Sequence, residues 1–349
     1  MKHLRLSIIG FGVVGQGLAE LLATKRELLR QHYNLDVTLV SVANSRHGFI
    51  YRESGLDIPT LLGLAASGKA LTNHPDITHW PRALDGLRAT GGDVLAEATG
   101  TNLRDAEPGM SHIRAALTQG MHVISANKGP IALAARDLLE LAHQHQVQLR
   151  MEATVMAGTP VISTILEGMA GARVHAVRGI LNGTTNYILS AMAGGRSYAE
   201  VLVEAQAQGY AEPDPTADVE GYDAVAKTLI LAALVLGHTL KPDQVARRGI
   251  TAITKEQVLK ASHEGKRIKL IASLQPVADL ADCPLEARVE PIALPLSDPL
   301  ARVDGVMNAI TFQTDTLSEV TIVGPGAGRL ETGQGLLADL LAIAKTIPS

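Results

Sequence analysis

Read for the spacing of apolar and polar positions, the N-terminal part of the chain breaks into short apolar runs separated by amphipathic stretches. Residues 4–9 read as a buried strand, and glycines at 10, 12 and 15 turn it into a helix reaching about Leu29. Residues 36–43, rich in Val and Leu, read as a second strand, so the opening is strand, glycine turn, helix, strand. Strands at 93–98 and 122–125 and a strand-like stretch at 147–153 then alternate with helices at about 108–119 and 131–144. This alternation predicts an α/β fold, a Rossmann-type doubly wound parallel sheet over residues 1–150.

The pattern changes after Glu152. Helical spacing at 186–193 and 198–208 leads to a loop at 209–215 and a long helix from about Asp218, which carries the longest apolar run, 229–236. Beyond Lys266 the pattern becomes strand-like, at 267–274, 286–292 and 308–313. Residues 151–317 therefore read as a second, α+β domain with a mostly antiparallel sheet, suited to catalysis and dimerisation. A short strand at 320–323 and the glycine-rich run 324–328 give way to a helix from about Glu331. We expect residues 318–349 to return and complete the first domain.

Composition narrows the class without naming an activity. Of 349 residues, 46% are hydrophobic, yet no run approaches the roughly 20 apolar residues of a membrane span. No signal-peptide pattern follows Lys2. The net charge of -4 is spread without a basic run, which argues against nucleic acid as a partner. Cys283 is the single cysteine, so an internal disulfide is excluded and a reducing cytoplasm is expected. In its Asp-Cys-Pro context it reads as an inert loop thiol. His143, His145, His74 and His79 lack a carboxylate cluster and read as surface residues rather than metal ligands.

Gly10-Phe11-Gly12-Val13-Val14-Gly15 fits the dinucleotide fingerprint in its required place, after a strand and opening a helix. Gly10 permits the turn, Gly12 lets a pyrophosphate meet bare backbone, and Gly15 lets the helix approach the strand. The second strand ends in Ala43-Asn44-Ser45-Arg46, without the carboxylate that would bind a ribose 2′-hydroxyl. Asn44 and Ser45 offer hydrogen bonds, and Arg46 offers a charge suited to a 2′-phosphate, which favours NADP over NAD. A solvated loop arginine is the alternative.

Pro213 and Pro215 forbid helix around Glu212 and Asp214, which places both acids on a stiff loop. Asp223 and Lys227 stand four apart, on one helical face, with the acid on the N-terminal side. The helix becomes wholly apolar just past Lys227. A lysine at that boundary loses part of its hydration, which favours its neutral form, while Asp223 acts in the opposite sense. A lysine able to give and take a proton is what carbonyl reduction needs. The alternative is a surface ion pair.

Three stretches resemble the homoserine dehydrogenases: Ser125-Ala126-Asn127-Lys128-Gly129-Pro130, the run 179–189 containing Asn182-Gly183-Thr184-Thr185-Asn186, and Gly209-Tyr210-Ala211-Glu212-Pro213-Asp214-Pro215 continuing through Asp218, Asp223 and Lys227. The resemblance runs from the first strand to the glycine-rich turn. It implies NAD(P)-dependent interconversion of L-homoserine and L-aspartate 4-semialdehyde, in threonine, methionine and isoleucine biosynthesis. It implies Lys227 as the acid/base, Asp223 as its orienting partner, and Glu212 as the holder of the substrate ammonium. Asp218, Thr184 and the Gly209 backbone would line the same pocket. Lys128 would stand between cofactor and substrate, Thr99 would contact the cofactor, and Gly326 would close over it. Glu152 through Thr159 resembles the family's monovalent-cation loop, with the Glu152 carboxylate and backbone carbonyls such as those of Val155, Ala157 and Thr159 holding Na⁺. Met156 stands where some relatives have glycine, and a plain strand-to-helix turn is the other reading.

The resemblance also implies a homodimer or homotetramer. It carries the expectation of a short form without the C-terminal regulatory domain, hence of little or no threonine regulation. A phosphorylating semialdehyde dehydrogenase would need a cysteine nucleophile, for which Cys283 is unsuited. A non-catalytic NADP-binding sensor and a dehydrogenase of another small amino-acid aldehyde stay open as alternatives.

Overall fold

The computed structural model describes residues 1–277 and 284–347. Cys283, read above as a loop thiol, lies outside the described residues. The chain divides into two compact units, Met1–Pro160 with Gly328–Ser349, and Val161–Ala327.

The first unit is built on a seven-stranded sheet of order β4-β3-β2-β1-β5-β6-β7. Its strands are β1 (Lys2–Ile9), β2 (Leu35–Asn44), β3 (Gly48–Tyr51), β4 (Thr78–Trp80), β5 (Val94–Glu97), β6 (His122–Ser125) and β7 (Leu149–Arg150). The pairs β1–β2, β1–β5, β5–β6 and β6–β7 are parallel, while the pairs β2–β3 and β3–β4 are antiparallel. The chain therefore reverses its direction of travel at β1, between β2 and β5. Crevices for ligands open at the carboxyl ends of strands at such a point. The core is aliphatic, as the low aromatic content requires. Leu4, Leu6 and Ile8 of β1 pack with Leu18 and Leu22 and with Leu336, Leu340 and Ile343. The last three belong to the helix Arg329–Thr346, which crosses the helix Val13–Thr24 closely: a Cβ on Gly333 would stand 2.8 Å from the Gly17 carbonyl carbon.

Two details differ from the sequence reading. The helix expected to reach Leu29 breaks at Lys25 into Val13–Thr24 and Arg26–Tyr33, and the second piece brings Arg30 to Asp36 at 2.9 Å. Of the stretch 147–153 only Leu149–Arg150 is strand. The Glu152 amide donates instead to Asp339 Oδ2 at 2.8 Å, which takes the chain off the ladder into a 3₁₀ turn at Glu152–Thr154.

The second unit holds a six-stranded sheet of order β13-β12-β8-β10-β11-β9. Its strands are β8 (Val174–Ile180), β9 (Val245–Arg247), β10 (Lys266–Pro276), β11 (Leu285–Pro295), β12 (Met307–Thr314) and β13 (Ser318–Pro325). All pairings are antiparallel except β9 with β11. Because β13 pairs with β12 along its length, residues 318–325 stay with this sheet, and the return to the first unit starts at Gly328 rather than at 318. The helix expected from Asp218 is likewise divided. A single turn, Thr216–Val219, is followed by Gly221 at φ +83°, a left-handed conformation that glycine adopts freely, and only then by the helix Tyr222–Val235. A buried clip braces this unit: Lys269, 1% exposed, donates to Val303 O at 2.6 Å and Asn186 Oδ1 at 3.0 Å. No helix among the described residues is long and apolar enough to cross a membrane.

Candidate active site

In the first unit a cavity of about 990 Å³ opens at the carboxyl ends of β1, β2 and β5, lined by Gly10, Phe11, Gly12, Arg46 and Thr99 among others. The glycines explain its shape. Gly10 sits at φ +98°, and a side chain there would collide with the backbone of Ala98. A Cβ on Gly15 would meet Gly10 O and would stand 3.1 Å from Ile8 Cγ2. A Cβ on Gly12, by contrast, would meet nothing within 4 Å. Gly12 is the N-cap of the helix Val13–Thr24, offers no side chain to its amides, and is followed by no acid in the first turn. That bare, partly positive helix end beside open space suits a dinucleotide pyrophosphate. Val13 is 65% exposed beside it, and Val14 packs against the core.

At the end of β2 the Asn44 carboxamide turns inward to its own loop, accepting from the amides of Arg46 at 3.1 Å and His47 at 2.7 Å. This Asx turn fixes the loop and leaves Arg46 exposed on the cavity wall. Lys69 and Arg82 line the same cavity, and the sequence reading had singled out neither. They come from separate segments, Lys69 before β4 and Arg82 after it.

Lys128 is the first residue of the helix Lys128–Gln144, capped by Asn127, whose Oδ1 accepts from the Gly129 amide at 3.0 Å. A cation at this end of a helix opposes the macrodipole, a local cost that is expected at functional positions. Behind Asn127 lies a polar chain the sequence did not disclose. Asn127 Nδ2 donates to Thr99 Oγ1 at 3.0 Å, Thr99 donates to Glu97 Oε1 at 2.6 Å, and His112 Nδ1 lies 3.4 Å from that same oxygen.

The second unit gathers the remaining polar residues around the N-terminus of the helix Gly183–Ala193. Asn182 caps that helix through Oδ1, which accepts from the Thr185 amide at 2.9 Å. Its Nδ2 is shared between Asp218 Oδ1 at 2.7 Å and Asp223 Oδ2 at 3.1 Å. Thr184 Oγ1 donates to Tyr210 O at 2.6 Å and reaches Asp218 Oδ2 at 3.3 Å. Lys227, 6% exposed, lies 2.9 Å from Asp223 Oδ2 and donates to Leu181 O at 2.6 Å. Burial and, secondarily, the charge of Asp223 push the Asp218 carboxyl above the ordinary carboxylate range. Of the predicted pair, Lys227 is thus buried and Asp223 half-buried, so this is not a surface i,i+4 pair. Glu212 is exposed on its loop and is held by the backbone, its carbonyl accepting from Gln206 Nε2 at 3.2 Å. Gly209 begins that loop at φ +75°. Asn182 is the residue whose role was missed, although an Asn three residues before Thr185 is a recognisable cap signal. Gly326 lies in the turn after β13, where a Cβ would collide with the Asn308 carboxamide.

The loop after Glu152 is buried, with Glu152 3%, Val155 0%, Ala157 3% and Thr159 7% exposed. Ala157 adopts φ +51°, unusual for a residue with a side chain. No group of His, Cys, Asp and Glu that could hold a metal ion occurs among the described residues. His74, read above as a surface residue, is 2% exposed: its Nε2 accepts from the Asp57 amide at 3.0 Å, which fixes a loop.

Two family models match this chain. One described as homoserine dehydrogenase, NAD binding domain, covers residues 10–152, and one described as homoserine dehydrogenase covers residues 160–341. An NAD(+)-dependent homoserine dehydrogenase from Pseudomonas canavaninivorans is 40% identical over 98% of this chain and 97% of its own. The structure is similar to that of a homoserine dehydrogenase from Thiobacillus denitrificans, with a TM-score of 0.82 and 30% identity, over 100% of this chain and 76% of that one. It is also similar to a hyperthermophilic archaeal homoserine dehydrogenase mutant in complex with NADPH, with a TM-score of 0.83 and 28% identity over 99% of both chains. The dinucleotide turn, the acids gathered around a buried lysine, and these matches agree: the chain belongs to the homoserine dehydrogenase family, the NAD(P)-dependent oxidoreductases that interconvert L-homoserine and L-aspartate 4-semialdehyde.

Proposed function

We propose that Lys227 carries the proton in this chain's interconversion of homoserine and aspartate semialdehyde. The observation that carries the reading is the buried ion pair with Asp223, one turn earlier on the same helix face. The nicotinamide, when bound, takes or supplies the hydride at substrate C4. In the reductive direction Lys227 gives a proton to the carbonyl oxygen, and in the oxidative direction it removes the hydroxyl proton. Asp223 and Leu181 O hold the amine in place, which leaves one N–H for the reacting oxygen. Glu212, on its exposed loop, receives the substrate ammonium, with Asp218, Thr184 and the Gly209 backbone beside it. Lys128 fixes the substrate's polar groups. Gly10, Phe11, Gly12, Val13, Val14, Gly15, Thr99 and Gly326 serve the cofactor.

For the cofactor we propose NADP. Arg46, Lys69 and Arg82 all line the cavity, and no carboxylate follows β2 to bind a bare ribose. The names of the relatives point both ways, to NAD(+) in the Pseudomonas enzyme and to NADPH in the archaeal complex, so this proposal rests on the cations of this chain. We further propose that Glu152 and the carbonyls of Val155, Ala157 and Thr159 hold Na⁺. One buried carboxylate with buried backbone oxygens is the hard-ligand set such an ion prefers. A rise in melting temperature with NaCl but not with choline chloride, lost in Glu152→Gln, tests that site without an activity assay. The assembly expected is a homodimer or homotetramer in the cytoplasm, which light scattering of the purified chain would check.

The test of the function is homoserine-dependent reduction of NADP. A folded chain that binds NADPH but does not turn over homoserine would be the non-catalytic sensor. Turnover of a different small amino-acid aldehyde in preference would move the substrate.

A further inference from the structure

Glu97 is the last residue of β5 and is fully buried, at 0% exposure. A carboxylate in such a place is costly unless its oxygens are met by donors. Oε1 is met by Thr99 Oγ1 at 2.6 Å, with His112 Nδ1 at 3.4 Å. Oε2 finds no hydrogen-bond partner among the described residues. What lies against Oε2 is the start of the helix Gly109–Thr118. A Cβ on Gly109 would stand 3.2 Å from Oε2 and would collide with Asn127 Nδ2. The absent side chain at 109 is what lets Glu97 and Asn127 both reach the interior. The partly positive helix end offsets some of the charge.

The Gly129 amide can only donate, so Asn127 must meet it with Oδ1 and turn its donor Nδ2 toward Thr99. The Thr99 hydroxyl offers a lone pair to Asn127 Nδ2, at 3.0 Å, and donates to Glu97. With its nitrogen so engaged, Asn127 presents Oδ1 to the Gly129 amide, at 3.0 Å, and caps the helix that begins at Lys128. Thr99 and His112 are also on the wall of the cofactor cavity. We propose that Glu97 is a positioning residue: through Thr99 and Asn127 it holds the helix start that carries Lys128, and it does so beside the nicotinamide cofactor without touching substrate. This rests on the assignment of Lys128 made above.

The test uses the full-length enzyme in steady-state kinetics, with NADPH affinity measured separately by fluorescence. Glu97→Gln keeps an acceptor for Thr99 and should retain most of kcat. Glu97→Leu removes the acceptor and should lower kcat by about tenfold or more, with the Kd for NADPH changed less than threefold. Thr99→Val cuts the chain at the next link at a half-buried site that tolerates the isostere, so it reports even where Glu97→Leu does not fold. The double variant Glu97→Leu/Thr99→Val should be no worse than the poorer single one, because both break the same chain. Equal losses in Glu97→Gln and Glu97→Leu, a loss confined to NADPH affinity, or multiplying effects in the double variant would each overturn the proposal. Lys128→Met separates the two assignments. If it leaves kcat unchanged, the role of Lys128 is wrong and this proposal falls with it. If it is severe while Thr99→Val is silent, Lys128 stands and Glu97 does not position it.

Discussion

The Lys227 ammonium lies 2.9 Å from the Asp223 carboxylate, with only 7% and 17% of the two side chains exposed. Exposed i,i+4 pairs contribute a few tenths of a kcal/mol and are made and broken freely. Here the helix Tyr222–Val235 runs straight on into a core containing Leu229, Ile230 and Leu231, so neither partner can swing out to water. A buried pair is weak as a source of stability but strong as a constraint on direction. It holds the ammonium in one place, as the proposed acid/base role requires.

The first expected outcome concerns that lysine. Lys227→Ala should lower kcat by roughly 10²–10⁴, the usual range for losing a positioned acid/base, and leave NADPH affinity nearly unchanged. Asp223 would then be buried without its cation, so a drop in melting temperature should accompany the loss. Asp223→Asn should cost less, because it orients the lysine without transferring the proton. Steady-state kinetics in both directions checks this. A Lys227→Ala enzyme with more than a tenth of the parent kcat would move the acid/base role, with Lys128 the next candidate.

Asn182 offers a second test, since one side chain does two jobs. It caps the helix Gly183–Ala193 and bridges Asp218 to Asp223. Asn182→Ala should cost about 1 kcal/mol of stability from the cap alone. Asn182→Ser restores a capping oxygen but not the bridging amide. It should recover the melting temperature while kcat/KM stays reduced. Recovery of both by serine would show that the bridge is dispensable.

The residues legible in the sequence were those whose chemistry is local. The glycines of the dinucleotide turn and the Asp223–Lys227 spacing each declare themselves within a few positions. What stayed hidden depends on distant segments meeting. The central strand β8 was not read as a strand, because Val174-His175-Ala176-Val177-Arg178 mixes polar side chains into a strand flanked on both sides. β13 was assigned to the wrong unit, since its pairing with β12 is invisible to periodicity. Lys69, Arg82 and the Glu97–Thr99–Asn127 chain could not be found for the same reason.

Cofactor choice gives the third outcome. Arg46→Ala should raise KM for NADPH by about tenfold or more, the effect of losing one charge-assisted hydrogen bond, with far less effect on NADH. Lys69→Ala and Arg82→Ala test the cations on the other walls of the cavity. The one that contacts the 2′-phosphate should show the same bias toward NADPH. Equal changes for both cofactors in all three variants would mean that none of them reads the phosphate.

The last outcome is a pH dependence centred on Asp218. Its carboxyl is raised above the ordinary range first by burial and then by the charge of Asp223, while Asn182, Lys227 and Thr184 act in the opposite direction. A raised value means that the folded chain holds this proton more tightly than the unfolded chain does. The stabilisation it contributes is complete below the unfolded value, 3.8, and is lost as pH rises through the folded value. Where Asp218 is ionised in the folded chain, its charge is held at some cost to the fold, as expected of an acid kept for binding a cationic substrate group. Asp218→Asn removes that cost, and its side-chain oxygen can still accept from Asn182. Its melting temperature should exceed the parent's by about 1–3 °C at pH 7–8, and the gap should close as the pH approaches 4. Its KM for homoserine should rise by about tenfold or more, because the ammonium loses an anion. Paired thermal melts across pH 4–8 check the first part. A variant that melts below the parent at neutral pH would mean that Lys227 outweighs Asp223 at this carboxylate, and that its charge supports the fold instead of straining it.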